Sequence, residues 1–481
     1  MRIARAALVA WAVLGVGGRA HAGDLLETYE IALRSDPQMA GAEANHLARR
    51  ESVPQARAAL LPRVNGSASI SRTDNRSTSF TTSPDPEDPG GTVFGESESR
   101  SENTNRSVGV SLSQSIYDHA NWTRLRAARV RESQADLELE ALADELIVRT
   151  ADTYFAALTA GEELAAARSQ EVAIARQLDQ AEVRMRAGLA TITDVHEARA
   201  ALEGARASAI VAESAASDAE EALAEIIGRP AGRLEVLRDD YLPTAPVPAD
   251  EQAWVAQARR SNPELLAAAR GLEASDVEVS TARAGHYPRL SATASYNRGV
   301  STGSSSSNGV DFPANGENDG ATVTLQLEVP IFSGGSVRSG VRQAMYVRDA
   351  TRQQLERQRR AVARQVRRAY RAVVSGIGEI AARRAALASA RSAYAASEAG
   401  LGAGTRTVVE VLITQQNLFE ARRAYAGARH AHLVNTLRLK QAAGSISIED
   451  LRAVNALLVA APAPGAAAAG TGTGGARDAV R

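Results

Sequence analysis

The sequence predicts an α+β fold in which one architectural unit is built twice, each copy holding a pair of membrane-type β-strands and a long antiparallel helical hairpin. Three observations carry that expectation. Residues 184–203, RMRAGLATITDVHEARAALE, return at 400–419 as GLGAGTRTVVEVLITQQNLF, so that Gly188 meets Gly404, Thr193-Asp194-Val195 meets Val409-Glu410-Val411 and Leu202 meets Leu418 at an offset of 216. Upstream, Asp36-Pro37 through Leu61-Pro62 return as Asn262-Pro263 through Tyr287-Pro288 at an offset of 226. A repeat that keeps its order through strands, turns and helices marks one structure made of two equivalent halves. Four segments of about ten residues follow a period of two, and two long intervals, Pro89 to Pro230 and Pro330 to Pro462, contain no proline and so permit very long helices.

The chain begins like an exported protein. Met1–Ala22 carries Arg2 and Arg5, an apolar run from Ala6 to Gly18 and Ala20-His21-Ala22, the pattern of a secretory signal peptide, and the mature chain is expected to begin near Gly23. No later stretch approaches the ~18 apolar residues of a spanning helix. An exported soluble protein and a membrane β-barrel both remain open at this point.

The first repeat is expected over 23–229. Its strands, about 63–73 and 106–117, place Val64, Gly66, Ala68 and Ile70, then Val108, Val110, Leu112 and Ile116, on one face against small polar residues on the other. A polar loop, about 72–106, is expected between them. The helical arm then runs from Asp118 to Arg186, about 69 residues or ~100 Å. Ile174, Leu178, Ala181 and Met185 lead into a tip near Gly188, and Thr191, Val195, Ala198, Leu202, Ala205 and Ala209 lead out, at heptad spacings of three and four. An antiparallel coiled-coil hairpin follows.

A Pro-rich, charged connector, 230–262, is expected to form a lateral (equatorial) segment. The second repeat, 263–444, carries strands at about 289–298 and 321–331, with Val323, Leu325, Leu327, Val329 and Ile331 on one face, and a polar loop at about 298–320 containing Ser304 to Ser307. Its hairpin turns near Gly404, flanked by Leu387, Ala390, Tyr394, Ser397 and Leu401 on one side and Val411, Leu418, Ala421 and Tyr425 on the other. Residues 445–459 are expected to complete the equatorial segment. The Ala-, Pro-, Gly- and Thr-rich tail, 460–481, is expected to be disordered.

Each strand has the length and alternation of a membrane β-barrel strand. A half-buried soluble sheet would alternate in the same way, but four matched strands in an exported chain favour the barrel. Four strands cannot close one, since closure takes about eight, so oligomerisation must supply the rest.

Composition removes several functions. The absence of cysteine excludes disulfides, thiol catalysis, zinc–thiolate sites and a lipid-bearing N-terminal cysteine. The net charge of −1, about −4 once the three arginines of the leader are gone, offers no nucleic-acid footprint.

With strands, hairpins and tips placed, the chain resembles the TolC family of outer-membrane efflux and secretion channels over about residues 24–458. The most specific words are Gly188-Leu189-Ala190-Thr191-Ile192-Thr193-Asp194-Val195 and Gly404-Thr405-Arg406-Thr407-Val408-Val409-Glu410-Val411, similar to the family's two periplasmic helix-turn tips. The resemblance implies a membrane channel-tunnel: a homotrimer in the outer membrane of a Gram-negative bacterium, twelve strands in one barrel, and a tunnel of twelve helices in the periplasm. It implies a passive exit duct for a tripartite efflux pump or a type I secretion system, with outer-membrane lipid around the barrel. The implied partners are a periplasmic adaptor and an inner-membrane transporter, ABC-type or proton-driven. By the same resemblance Thr193 and Asp194 accept the links that shut the periplasmic end, and Arg406 ties the second hairpin to its neighbour. Leu401 stands where the type member has a tyrosine in that lock. Glu410 matches one acidic ring of the constriction, and Ile413 replaces a second. Gly188, Leu189, Gly404 and Thr405 form the tips that an adaptor would meet.

Plainer readings stand beside these. Asp194 and Arg406 could be a solvated hairpin tip. His196 has no second ligand at metal spacing, and His430 and His432, at i and i+2, point to different helix faces. Gly400, Gly402 and Gly404 lack the preceding strand and following Lys of a phosphate loop. No nucleophile has an organised base, so neither enzyme activity nor a cofactor is expected. Tyr117, Tyr287, Tyr296 and Phe332 fit an aromatic girdle or core packing equally well. The main alternative to a duct is an exported coiled-coil stalk or adhesin without a lumen.

Overall fold

The computed structural model describes residues 23–460, so the expected leader and all but the first residue of the expected tail lie outside it. The chain opens with α1 (Leu25–Ser35) and α2 (Pro37–Arg50), joined at Asp36. The Asp36 N–H donates to the Ala32 carbonyl, and its carboxylate accepts from the Met39 N–H at 3.1 Å. Pro37 takes the first helical position, where a missing N–H costs nothing. There follow α3 (Ser52–Ala58), β1 (Arg63–Pro84), β2 (Thr92–Tyr117), α4 (His119–Arg186), α5 (Ile192–Ile227) and β3 (Val236–Leu237).

The second half repeats this order with α6 (Glu251–Ser261), α7 (Pro263–Arg283), β4 (Arg289–Ser307), the short β5 (Val310–Pro313), β6 (Gly316–Glu328), α8 (Ser336–Gly402) and α9 (Val408–Ala443), then α10 (Ile448–Asn455) and β7 (Leu458–Val459). Even the entry joint is copied: the Asn262 N–H donates to Ala258, its side chain accepts from the Leu265 N–H at 3.0 Å, and Pro263 follows. Helix α6, the counterpart of α1, lies within the stretch read from sequence as connector. The long helices match expectation closely, with 68 residues in α4 and 67 in α8, and 36 in each return helix. Among the described residues no helix is long and apolar enough to cross a membrane.

The described residues fall into two compact units. One comprises 45–137 and 267–358 and contains the large sheet. Its strands run β1-β2-β4-β6, all antiparallel, with β5 beside the far end of β4. The register gathers one apolar face, row by row: Tyr117, Leu290 and Leu327; then Val64, Leu112, Ala294 and Val323; then Gly66, Val110, Tyr296 and Ala321. The opposite face is small and polar, with Asn65, Ser111, Ser295 and Thr322 in one row and Ser69 and Ser107 joined through their hydroxyls at 2.8 Å in another. Large residues of the apolar face stay exposed, Val323 at 82% and Ile70 at 69%. Among the described residues the outer edges of β1 and β6 pair with nothing.

Three strand expectations need correction. The polar loops expected at 72–106 and 298–320 are mostly strand, because β1 and β2 stay paired out to Pro84 and Thr92, and β4 runs to Ser307. Pairing with a neighbouring backbone extends a strand through Ser-, Thr- and Asn-rich sequence that carries no apolar alternation, and Arg72–Glu102 and Arg100–Asp74 ion pairs cross the extension. At the other end β6 stops at Glu328, so Val329 and Ile331 lie outside it; Pro330 cannot donate to a ladder. Finally, a register shift between Ser115 and Tyr117 leaves Ile116 unpaired and puts Tyr117 opposite Leu290.

The other unit comprises 23–44, 138–266 and 359–460 of the described residues. Its core joins Leu25, Leu146, Tyr154, Phe155, Leu223 and Leu437, all at most 2% exposed. The Tyr154 hydroxyl donates to the Gly23 carbonyl at 2.9 Å and accepts from the Glu235 N–H at 3.0 Å, which fixes the approach to β3. There β3 pairs with β7 through Val236–Val459 and Leu237–Leu458.

Candidate functional site

The two hairpin tips, both in the helical unit, share one backbone solution. At the end of α4 the Gly188 N–H donates to Met185 and the Leu189 N–H to Arg184; at the end of α8 the Gly404 N–H donates to Leu401 and the Thr405 N–H to Gly400. Both are Schellman caps, and each needs a left-handed residue, met by Gly188 at φ +73° and Gly404 at φ +74°. Three residues after each glycine a threonine starts the return helix. Thr191 caps α5 by accepting from the Asp194 N–H at 3.2 Å, while the Asp194 carboxylate accepts from the Thr191 N–H at 2.8 Å. Thr407 and Glu410 repeat this reciprocal box at 3.3 and 2.8 Å.

Apolar seams close each hairpin as the heptads predict. Ala181, Val195 and Ala198 pack together under the first tip, with Leu178 and Met185 against them. Leu401, Val408 and Val411 do the same under the second, with Tyr394 beside them. Leu401 is 8% exposed, so its side chain serves the seam.

Two residues that sequence reasoning missed join the hairpins. The Arg184 guanidinium of the first donates to the Leu401 carbonyl of the second at 3.1 Å. Leu412 packs both on Leu401, Val408 and Val411 and on the first hairpin's Ile174, Leu202 and Ala205. The only trace of Leu412 in sequence is one apolar residue beyond the heptad seam.

The expected gate residues are placed as follows. Asp194 is engaged in its own cap, and Arg406 donates to Glu410 at 2.6 Å one turn along its own chain, so the structure does not pair Asp194 with Arg406 within one protomer. The Arg406 stem lies over Gly400, where an added Cβ would come 2.6 Å from Arg406 Cγ. The backbone N–H of Thr407 first, and then Arg406, hold the Glu410 carboxyl below its ordinary range. Thr193, Leu189, Gly188, Gly404 and Thr405 are exposed, Leu189 at 71%. Ile413, 53% exposed, follows Glu410 by three residues and so shares its helix face.

A second polar group lies buried in the helical unit. The His430 ring shares a hydrogen bond with Thr159 at 2.8 Å, and the His432 ring shares one with the Tyr241 hydroxyl at 2.7 Å. Burial, with Arg429 adding to it, pushes His430 down to about 4, and burial lowers His432 as well. The Glu162 carboxyl is raised by burial despite Arg429. Among the described residues no three His, Asp or Glu side chains are grouped so as to hold a metal.

Comparison with known proteins gives a consistent picture. A family model described as outer membrane efflux protein matches residues 28–229 and 254–445. The chain is 32% identical to the outer membrane protein TolC of Vibrio cholerae serotype O1 over 437 residues, 90% of this chain and 94% of that protein. It is 30% identical to the alkaline protease secretion protein AprF of Pseudomonas aeruginosa over 442 residues, 92% of this chain and 88% of that one. Among solved structures the fold matches CusC, described in terms of transmembrane channel formation, with a TM-score of 0.70 at 19% identity, over 90% of this chain and 96% of that one.

Proposed function

The chain belongs to the outer membrane efflux protein family, and we propose on that premise that three copies assemble into one passive duct whose helical end an adaptor opens. The protein is an outer-membrane exit duct for efflux and type I secretion, with its helices in the periplasm. The observation that carries the trimer is the sheet: an exposed apolar face, a polar opposite face, and two unpaired edges. Pairing β1 of one copy with β6 of the next removes every edge and gives twelve strands, enough to close a barrel that the four of one copy cannot. The apolar band runs over about ten residues of β4, roughly 33 Å of strand, which at a tilt of ~40° covers about the 25 Å of a membrane barrel. Lipid contacts that band. A coiled-coil stalk would have no use for it.

In this reading the first repeat spans 23–229 and the second, expected at 263–444, begins earlier with α6 at Glu251, so that 230–250 and 445–459 form the equatorial segments. The tips form the gate. Arg406 reaches a neighbouring protomer, and Thr193 and Asp194 accept, while Leu401 contributes packing and a carbonyl rather than a side-chain link. Glu410 supplies a ring of three carboxylates at the constriction, with Ile413 an apolar ring beside it. Gly188, Leu189, Gly404 and Thr405 meet the adaptor, and an ABC or proton-driven transporter in the inner membrane provides the energy. The chain itself performs no catalysis.

Planar-bilayer recording tests the duct: purified protein should give discrete channel events, and none would sink the assignment. The gate is tested with Arg406→Ala and Asp194→Ala, both expected to raise conductance and entry of large antibiotics. Thr191→Ala weakens the same helix cap while leaving the Asp194 carboxylate in place. If it opens the channel as far as Asp194→Ala does, the effect is capping and the lock is misassigned.

A further inference from the structure

At the outward end of the apolar band the sheet face changes character. Ile70 stands opposite Arg106, Arg106 opposite Val300, and Val108 opposite Arg298, so two arginines on neighbouring strands sit diagonally on the lipid-facing side. Diagonal neighbours lie within reach of long side chains. Beyond this row the same face carries arginines already matched within the sheet: Arg72 with Glu102 at 3.4 Å, Arg100 with Asp74 at 3.3 Å and Arg76 with Glu98 at 3.6 Å. Arg106 differs. It is exposed and has no ion-pair partner among the described residues. Arg298 has only Glu317, at 3.8 Å and on its far side, across β6.

Between the two arginines and the edge strand lies a groove of about 510 Å³ lined by Ala68, Ile70, Arg106, Val108, Arg298 and Val300. An apolar groove leading to two guanidinium groups at the level where hydrocarbon gives way to headgroups has the form of a lipid site. Arg presents a planar fork matched to phosphate, and a long stem that lies along apolar surface. No carboxylate lines the groove; on the same face Asp319 stands directly opposite Arg298 and Glu317 lies on its far side, so Arg106 is the unmatched cation of the pair.

We propose that Arg106 and Arg298 bind the phosphate of an outer-leaflet glycolipid, with the start of one acyl chain in the groove beside Ala68. The proposal rests on the barrel reading above, which places this face against lipid and this row at the outer interface. An inorganic phosphate could satisfy the arginines alone but would leave the apolar groove empty.

The test is lipid retention measured by native mass spectrometry on the full-length protein in detergent. The probes are a bis-phosphorylated disaccharide glycolipid, the same lipid after phosphatase treatment, phosphatidylglycerol and inorganic phosphate. Arg106→Gln and Arg298→Gln should each lower affinity for the phosphorylated glycolipid roughly tenfold, the scale of one hydrogen-bonded charge. Removing the phosphates should do the same to the wild type, and Arg76→Gln should change nothing. Equal retention by the two groove variants, or equal retention of the dephosphorylated lipid, overturns the site. Displacement by millimolar inorganic phosphate without any dependence on acyl chains overturns the lipid assignment. Bilayer conductance is recorded on the same preparations. Conducting variants with unaltered retention refute the site alone, whereas a wild type that neither conducts nor retains lipid refutes the barrel reading as well.

Discussion

Arg184, near the end of one long helix, donates to the backbone carbonyl of Leu401, near the end of the other, at 3.1 Å. This bond and Leu412 are what hold the two hairpin tips of one protomer side by side. The acceptor carbonyl also receives the Gly404 N–H of the Schellman cap, so the link is anchored in the turn itself. A guanidinium–carbonyl bond at a wet tip contributes about 1 kcal/mol, strong enough to align two hairpins and weak enough to break.

Arg184→Gln is therefore expected to let the tips separate. The absence of cysteine allows spin labels at engineered cysteines replacing Leu189 and Thr405. Their distance distribution should broaden and shift outward in the variant. A distribution identical to that of the unsubstituted pair would show that Leu412 packing alone sets the spacing.

Gly188→Ala and Gly404→Ala force a Cβ into left-handed backbone at φ +73° and +74°. Each should cost about 1 kcal/mol and lower the thermal midpoint followed by circular dichroism at 222 nm. Because both tips use the same cap, the two losses should be similar. A loss at one tip only would mean that the other can refold its turn without a left-handed residue.

Leu325→Arg places a charge on the apolar face of β6, whereas Thr324→Arg places it on the polar face. A charge at the middle of a membrane band costs roughly 2–4 kcal/mol. The first variant should fail to yield folded, heat-modifiable protein in lipid vesicles while the second inserts normally. Equal yields would contradict the assignment of faces.

His430, buried and held down to about 4, gives a pH dependence with a definite sign. The unfolded imidazole takes up a proton near 6.5 and the folded one does not until about 4, so the unfolded state binds more protons between those values. Stability is retained above pH 6.5 and lost as pH falls through this window, by about 2 kcal/mol at pH 5. Asp144 acts oppositely. Burial, then Glu140, raises its carboxyl to about 6, so its penalty grows as pH rises through that value. His430→Gln should flatten the decline between pH 7 and 5, and Asp144→Asn should raise the midpoint at pH 7.5 with little gain at pH 4. A His430→Gln curve parallel to the wild type would show that the imidazole is not what titrates.

Much of the fold is legible in sequence because it is periodic. Heptads at Ala181, Val195 and Ala198 and alternation at Val108, Val110 and Leu112 announce a seam and a membrane face, and glycine between two helices announces a tip. The strand extensions left no such mark, since residues 72–84 and 92–105 carry no sustained apolar alternation and become strand only through each other. The Arg184–Leu401 bond was equally invisible. Its acceptor is backbone, which every residue possesses, and its partners are 217 positions apart. The resemblance gives the Asp194 carboxylate to the lock and Glu410 to the constriction ring, yet the threonines three residues before them already spell out helix caps.

In the proposed trimer, the unpaired edges of β1 and β6 tie folding to abundance. A lone copy must leave two rows of backbone N–H and C=O groups to water, or to any passing strand, until the complementary edges of other copies arrive. Its lifetime in that condition depends on how many siblings are nearby. Lowering expression should therefore do more than reduce the number of ducts in proportion: it should lengthen the interval in which each newly exported chain is open to proteolysis, so that yield falls more steeply than synthesis.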